Sequence, residues 1–338
     1  MITIREVAKA ANVSISTVSR VINNSPNVAR EKRNRVLAAI EEVGYVPNVK
    51  PKEPEVSEQA KVILVITTIF HATLCPAIEE SASEMGYEVL FKYTGEYDKG
   101  IQKKMTNGLW KDILNEELLA GIILLNPIMS REMYNDSFFS KFPVVQVGCS
   151  MRNYGGYTVS TDDFQAAFDM TSCLLDKGYE NIVLVTPNDE VDASHYSYAQ
   201  ERYYGYHKAL KNAGFSAEDE TVIYCDLSSR GGREAAEQIM DMIPRPDAVF
   251  CLADRIAFGV VKAFLDAGMR VPEDIGVAGF DGVSEGAEMT PSLTTVVQSF
   301  DDIGAEAVQM LDQIVRGEVS NGRKLFVAHR VEERQSTR

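Results

Sequence analysis

From residue 61 onward the chain repeats one texture: a short run of apolar residues, then a longer stretch in which apolar positions recur every three or four. The short runs are VILVITT (62–68), YEVLFK (87–92), GIILL (121–125), PVVQVG (143–148), NIVLVT (181–186), TVIYC (221–225), AVFCL (248–252) and IGVAGF (275–280). Amphipathic spacing predicts helices near 76–86, 100–118, 162–177, 198–213, 230–243 and 254–268. Strands apolar on both faces, joined by helical crossovers, predict parallel sheets and an α/β body. The spacing suggests two such sheets in succession, one before about Ser160 and one after. A last strand–helix–strand (LTTVVQ, 301–316, KLFVAHR) fits either.

The first 48 residues have a different pattern, with no strand-like run. Ile4, Val7, Ala8 and Ala11 recur at helical spacing behind a capping Thr3, and Asn12, tolerant of left-handed dihedrals, breaks the run. Ser14 can cap a second helix. A third runs from about Arg30 to Val43, with Val36, Leu37, Ile40 and Val43 expected inward, and stops at Gly44. Residues 49–60, VKPKEPEVSEQA, contain Pro51 and Pro54 and three glutamates, which predict an extended linker.

Charge sharpens this division. Residues 1–50 hold eight lysines and arginines against four acids, a net of +4, so the remaining 288 residues carry −19 of the total −15. A basic head on an acidic body points to a polyanion partner for the head alone. The second helix shows how it would bind. At roughly 100° per residue, Ile15, Ser16, Ser19, Arg20 and Asn23 share an arc of about 140°, and Thr17, Val18, Val21 and Ile22 share another. One arc packs on the head; the other presents short side chains around an arginine, suited to a major groove and to guanine O6/N7.

Other chemistry is sparse. Five scattered cysteines (Cys75, Cys149, Cys173, Cys225, Cys251) lack ligand spacing and are expected as reduced thiols. No phosphate loop, zinc-binding helix, nucleophile elbow or dinucleotide fingerprint occurs, so no enzyme, cofactor or metal is expected. MITIREVAKA lacks an apolar signal core, and no run of eighteen apolar residues exists, which together predict a cytoplasmic protein. Ligands of open α/β sheets sit beyond the carboxyl ends of strands. That rule nominates Thr68, Phe70, His71, Asn126, Asn188, Asp189, Asp226, Asp254 and Asp281, most of them hydroxyl, amide or carboxylate groups suited to a polyhydroxylated ligand.

TIREVAKAANVSISTVSRVINNSPNVAREKRNRVLAAIEEVGYVPN resembles the DNA-binding head of the LacI/GalR repressors nearly end to end. The body continues the resemblance as two periplasmic-binding-protein-like lobes, carried by AQERYYGY (199–206), VPEDIGVAGFDG (271–282) and PSLTTVVQ (291–298). The resemblance implies an all-α helix-turn-helix head at 1–48 and a linker at 49–60. It implies an N-terminal lobe of 61–160 plus 292–320, and a C-terminal lobe of 161–291 plus 321–338. Ile15, Ser16 and Arg20 match base-reading positions; Thr3, Ser14, Thr17, Ser19, Asn23 and Tyr45 match positions near phosphate. Arg202 and Asp281 match effector-binding residues, with Phe70, Asn126 and Asp254 as further candidates. The expected partners are pseudopalindromic operator DNA, a sugar-like effector between the lobes and a second copy of the chain in a homodimer, or a tetramer. A regulator of catabolite-control type, governed by a phosphocarrier protein or a nucleobase corepressor, stays open. A secreted sugar-transport protein would lack the head. The chain departs from the pattern where relatives carry a short hinge helix: prolines stand at 51 and 54. Ala253 also replaces an amide, and Leu227 an aromatic platform for which Phe70 and Phe164 are substitutes.

Overall fold

The computed structural model describes residues 3–22, 28–43, 61–67, 71–93, 114–125, 138–148, 150–151, 156–187, 195–196, 198–216 and 220–338. The linker at 49–60 and residues 100–113 of the helix expected near 100–118 lie outside them.

Three helices form the head: α1 (Ile4–Ala10), α2 (Ile15–Ile22) and α3 (Arg30–Val43). The Thr3 amide donates to Glu6 Oε2 at 2.6 Å, closing the start of α1, and Asn12 makes the break with φ +51°. The Thr17 amide donates to Ser14 Oγ at 3.2 Å, the cap that starts α2. Val7, Ala8, Ala11, Val18, Val21, Val36, Ala39 and Ile40 form the core. Leu37, expected inward, is 38% exposed instead. The buried stripe of α3 runs through 36, 39, 40 and 43, and the residue after Val36 is rotated some 100° away from it.

By its contacts the chain divides into two units, Met1–Val159 with Asp192–Tyr196 and Gly304–Lys324, and Ser160–Val191 with Ser197–Ile303 and Leu325–Arg338. The first contains β1 (Val62–Thr67), α4 (Leu74–Glu84), β2 (Glu88–Tyr93), β3 (Leu119–Leu125), β4 (Val144–Val147), the short β5 (Ser150–Met151) and most of β6 (Tyr157–Thr161), whose last two residues fall in the second. Its sheet has the order β13-β6-β4-β3-β1-β2, where β13 is Lys324–Val327. Strands β1 to β4 are parallel to their neighbours; β1, β3 and β4 are almost wholly buried, whereas β2, at the edge of the sheet, has no fully buried residue. Strand β6 has no counterpart among the apolar runs. All five of its residues are buried, but Thr158, Ser160 and Thr161 fill a core with hydroxyl-bearing side chains. Residues 116–118, expected at the end of a long helix, make a single 3₁₀ turn.

The second unit contains α5 (Asp163–Asp176), β7 (Ile182–Pro187), α6 (Tyr198–Asn212), β9 (Thr221–Cys225), α7 (Ser229–Met240), β10 (Ala248–Cys251), α8 (Asp254–Asp266), β11 (Gly276–Asp281), α9 (Ser284–Glu288), β12 (Thr294–Gln298) and β14 (His329–Glu332). Between β7 and α6 lies the two-residue β8 (His195–Tyr196), paired with β5. The sheet order is β14-β12-β11-β10-β7-β9, parallel except for β12 against β14. One side of it packs Ile256, Val260 and Phe264 of α8; the other packs Met170, Tyr206 and Phe250.

The lobe boundary expected at residue 292 is corrected here. Strand β12 lies in the second sheet, paired with β11 from Ala278↔Thr294 to Asp281↔Val297. The return to the first unit comes at Gly304, inside the first turns of α10 (Phe300–Val315). The ladder with β11, invisible in the sequence, keeps 294–298 in the second unit. Residues after β14 close the same sheet: Ser336 Oγ donates to the Val277 carbonyl at 2.6 Å and accepts from the Thr294 amide at 2.8 Å.

Candidate nucleic-acid interface and ligand site

Helix α2 has two unlike faces. Val18 and Val21 are buried in the head core, while Ser16 and Arg20 are exposed and Ile15 is 46% exposed. An isoleucine at the solvent end of a recognition-type helix offers apolar contact, of the kind a thymine methyl accepts. Ser14 Oγ lies 2.8 Å from Ser16 Oγ and 2.9 Å from Thr17 Oγ1, so hydroxyls cluster at the start of α2. Thr3 sits at the start of α1, its hydroxyl 3.2 Å from Glu6 Oε2, and Ser19 is half-buried. Asn23 and Tyr45 lie outside the described residues.

In the second unit a chain of polar contacts crosses the carboxyl ends of the strands. Its centre is Arg202, 5% exposed, in the second turn of α6. Arg202 Nε donates to Asp163 Oδ1 at 2.8 Å and Nη1 to the Leu252 carbonyl at 2.6 Å; Nη1 also pairs with Asp281 Oδ1 at 3.5 Å. The guanidinium carbon is 3.5 Å from the centroid of the Phe280 ring and 4.7 Å from that of Tyr198. Gly205, one turn on, permits this. A Cβ there would lie 2.1 Å from the Phe164 carbonyl oxygen, so α6 packs backbone to backbone on α5 and brings Arg202 against Asp163. Sequence reasoning missed Asp163; only this helix contact marks it. Burial works against the charge of Arg202, but Asp163 and Asp281 outweigh it and raise its pKa above the ordinary value.

Asp281 closes β11 with φ +128°, a region unfavourable for any side chain, followed by Gly282 at φ +76°. Gln298 Nε2 donates to Asp281 Oδ1 at 2.9 Å, and the Thr161 hydroxyl donates to Gln298 Oε1 at 2.8 Å. The Asp281 side chain keeps 26% exposure, so it is the carboxylate of the cluster that reaches outside. Asp254 is placed otherwise than expected. It is 0% exposed, and its oxygens accept from the Gly282 and Val283 amides and the Thr295 hydroxyl. The effector contact expected of Asp254 is corrected to an internal one. Burial raises its pKa, against those three hydrogen bonds. Phe70 and Asn126 lie outside the described residues.

Burial pushes Asp281 up to about 7, with Arg202 opposing and Asp254 assisting. A carboxyl whose folded pKa exceeds its unfolded one supplies stability at low pH that fades as pH rises through the folded value. Asp281→Asn removes that dependence. Between about pH 5 and pH 8, wild-type thermal stability should therefore fall relative to the variant. Parallel melting curves for the two proteins over that range would contradict the assignment.

Comparison with known proteins follows the same division. Residues 3–48 match the profile described as "Bacterial regulatory proteins, lacI family", and 171–337 that of a "Periplasmic binding protein-like domain". The chain is 32% identical over 340 residues to Catabolite control protein A of Priestia megaterium, covering 100% of this chain and 99% of the relative. It is 29% identical over 328 residues to the HTH-type transcriptional repressor CytR of Escherichia coli K12, covering 96% and 93%. A solved complex of the transcriptional regulator CelR with cellobiose superposes with TM-score 0.74 at 24% identity, over 99% of this chain and 100% of that one.

Proposed function

Because the chain belongs to the LacI family of bacterial regulatory proteins, a family of DNA-binding transcriptional regulators, we propose that it represses transcription as a homodimer on a pseudopalindromic operator. The observation that carries this reading is the two-faced α2, buried through Val18 and Val21 and open through Ile15, Ser16 and Arg20. Ile15, Ser16 and Arg20 read base edges, while Thr3, Ser14, Thr17, Ser19, Asn23 and Tyr45 address phosphates and set the register. Two-fold pairing of chains matches two half-sites.

The effector in this reading is a small carbohydrate, addressed by Asp281 with Arg202 behind it and by Phe70 and Asn126. A carboxylate fixed by a cation and an amide is a strong acceptor for a sugar hydroxyl, and it rejects ligands lacking that hydroxyl. The cellobiose complex of the fold relative supports the class, not the identity. Effector changes DNA affinity only through unequal affinity for two arrangements of the protein. No helix among the described residues is long and apolar enough to cross a membrane.

The test is in two steps. Full-length protein is used to select duplexes from a random pool; enrichment of an inverted repeat is expected, and a pool without a repeat would refute the reading. Melting is then followed with sugars, sugar phosphates and nucleobases. A sugar at about a hundred times its Kd adds about 2.7 kcal/mol and moves the transition by several degrees. A shift with a nucleobase alone, or with nothing, would replace the carbohydrate by the corepressor or partner-protein alternatives.

A further inference from the structure

The turn at the end of β11 is strained at Asp281, whose φ of +128° no side chain favours, and the following Gly282 is hemmed in from outside: a Cβ there would lie 2.6 Å from Val297 Cα. Something must hold that backbone, because a lone strained turn relaxes. The group that does so is a carboxylate from another element. Asp254 Oδ2 accepts from the amides of Gly282 at 2.8 Å and Val283 at 2.9 Å, two successive donors gripped by one oxygen. Its Oδ1 accepts from the Thr295 hydroxyl on β12 at 2.6 Å. Gly279 leaves the space this carboxylate fills, since a Cβ there would lie 2.2 Å from Asp254 Oδ1. The start of α8, the end of β11 and the side of β12 thus meet on one buried acid.

We propose that Asp254 is a positioning residue that clamps the 281–283 turn and so fixes the angle at which Asp281 meets its ligand. This rests on the reading of Asp281 as an effector contact. Asp254 itself touches no ligand, being sealed from solvent and engaged at both oxygens. It acts through the two amides next to Asp281, so ligand affinity depends on a side chain that never reaches the ligand.

Hydrogen exchange and calorimetric titration with D-ribose and cellobiose, on full-length wild type, Asp254→Ala and Asp254→Asn, test the clamp. Asparagine keeps an acceptor oxygen for the amides and can donate to Thr295; alanine keeps nothing. Asp254→Ala should speed exchange at amides 282 and 283 about tenfold or more while β7 and β10 keep their protection, and Asp254→Asn should stay within about threefold of wild type. For whichever sugar wild type binds, affinity should fall about tenfold in the alanine variant and much less in the asparagine variant. The clamp is overturned if 282 and 283 stay protected without Asp254, or if the two variants behave alike, which would mean that charge alone matters. If Asp254→Ala does not fold, Thr295→Val serves. It keeps the volume, removes one bond of three, and should speed exchange at 282 and 283 alone; uniform loss of protection across the unit refutes the proposal. Should neither sugar bind wild type, the exchange contrast alone decides the clamp, and it is the carbohydrate reading that fails.

Discussion

Replacing Arg20 with alanine should leave a protein that still binds DNA and no longer tells operator from random duplex. The exposed arginine stands on the open face of α2, and an arginine fork on guanine O6/N7 discriminates by about 1–3 kcal/mol. In the proposed homodimer the contact is made once in each half-site, so the expected loss is about 2–6 kcal/mol in specific binding. Non-specific affinity, which comes from phosphate contacts elsewhere on the head, should fall much less and keep most of its salt dependence. Arg20→Lys keeps the charge and loses the planar fork, so it should fail on specificity nearly as badly. Fluorescence anisotropy on the selected operator and a scrambled duplex, at one fixed salt concentration, measures both affinities. A variant with undiminished preference for the operator would remove α2 from the groove.

The second large effect is in the body. Arg202→Ala removes the one cation from between Asp163 and Asp281, both at a mostly buried site. Breaking such a pair from one side costs about 3–5 kcal/mol, because the remaining charge is buried without its partner. The loss of contact with the Phe280 and Tyr198 rings acts in the same direction. The deficit should be larger at pH 8 than at pH 5.5, since the orphaned carboxyls, with Asp281 already pushed up to about 7 in wild type, take up protons more readily at the lower pH. Adding Asp163→Asn should recover part of the loss. Urea unfolding of the three proteins at both pH values gives the comparison. A single variant within about 1 kcal/mol of wild type would mean that the network carries no stability.

Much of this molecule is legible in its sequence. The apolar runs at 62–68, 181–186, 221–225 and 248–252 became strands within a residue or so of their expected ends, because strands covered on both faces leave continuous apolar text. The capping Thr3 and Ser14, the left-handed Asn12 and the two-faced α2 were equally local. Each depends on neighbours within four residues. Strand β6 escaped notice because hydroxyl side chains fill its buried positions, and Leu37 was assigned inward because an adjacent valine is.

What the sequence by itself determined is the alternation of elements, the basic head with its exposed arginine, and the two residues, Arg202 and Asp281, on which the body's polar site turns. What only the tertiary structure decided is who faces whom. It placed β12 in the second sheet, brought Asp163 to Arg202 through the close approach at Gly205, and turned Asp254 inward onto the amides of Gly282 and Val283. The reason is physical: caps, periodicity and charge act over a few residues of chain, whereas those contacts join residues 16 to 41 positions apart, and nothing in the intervening text records the angle at which they meet.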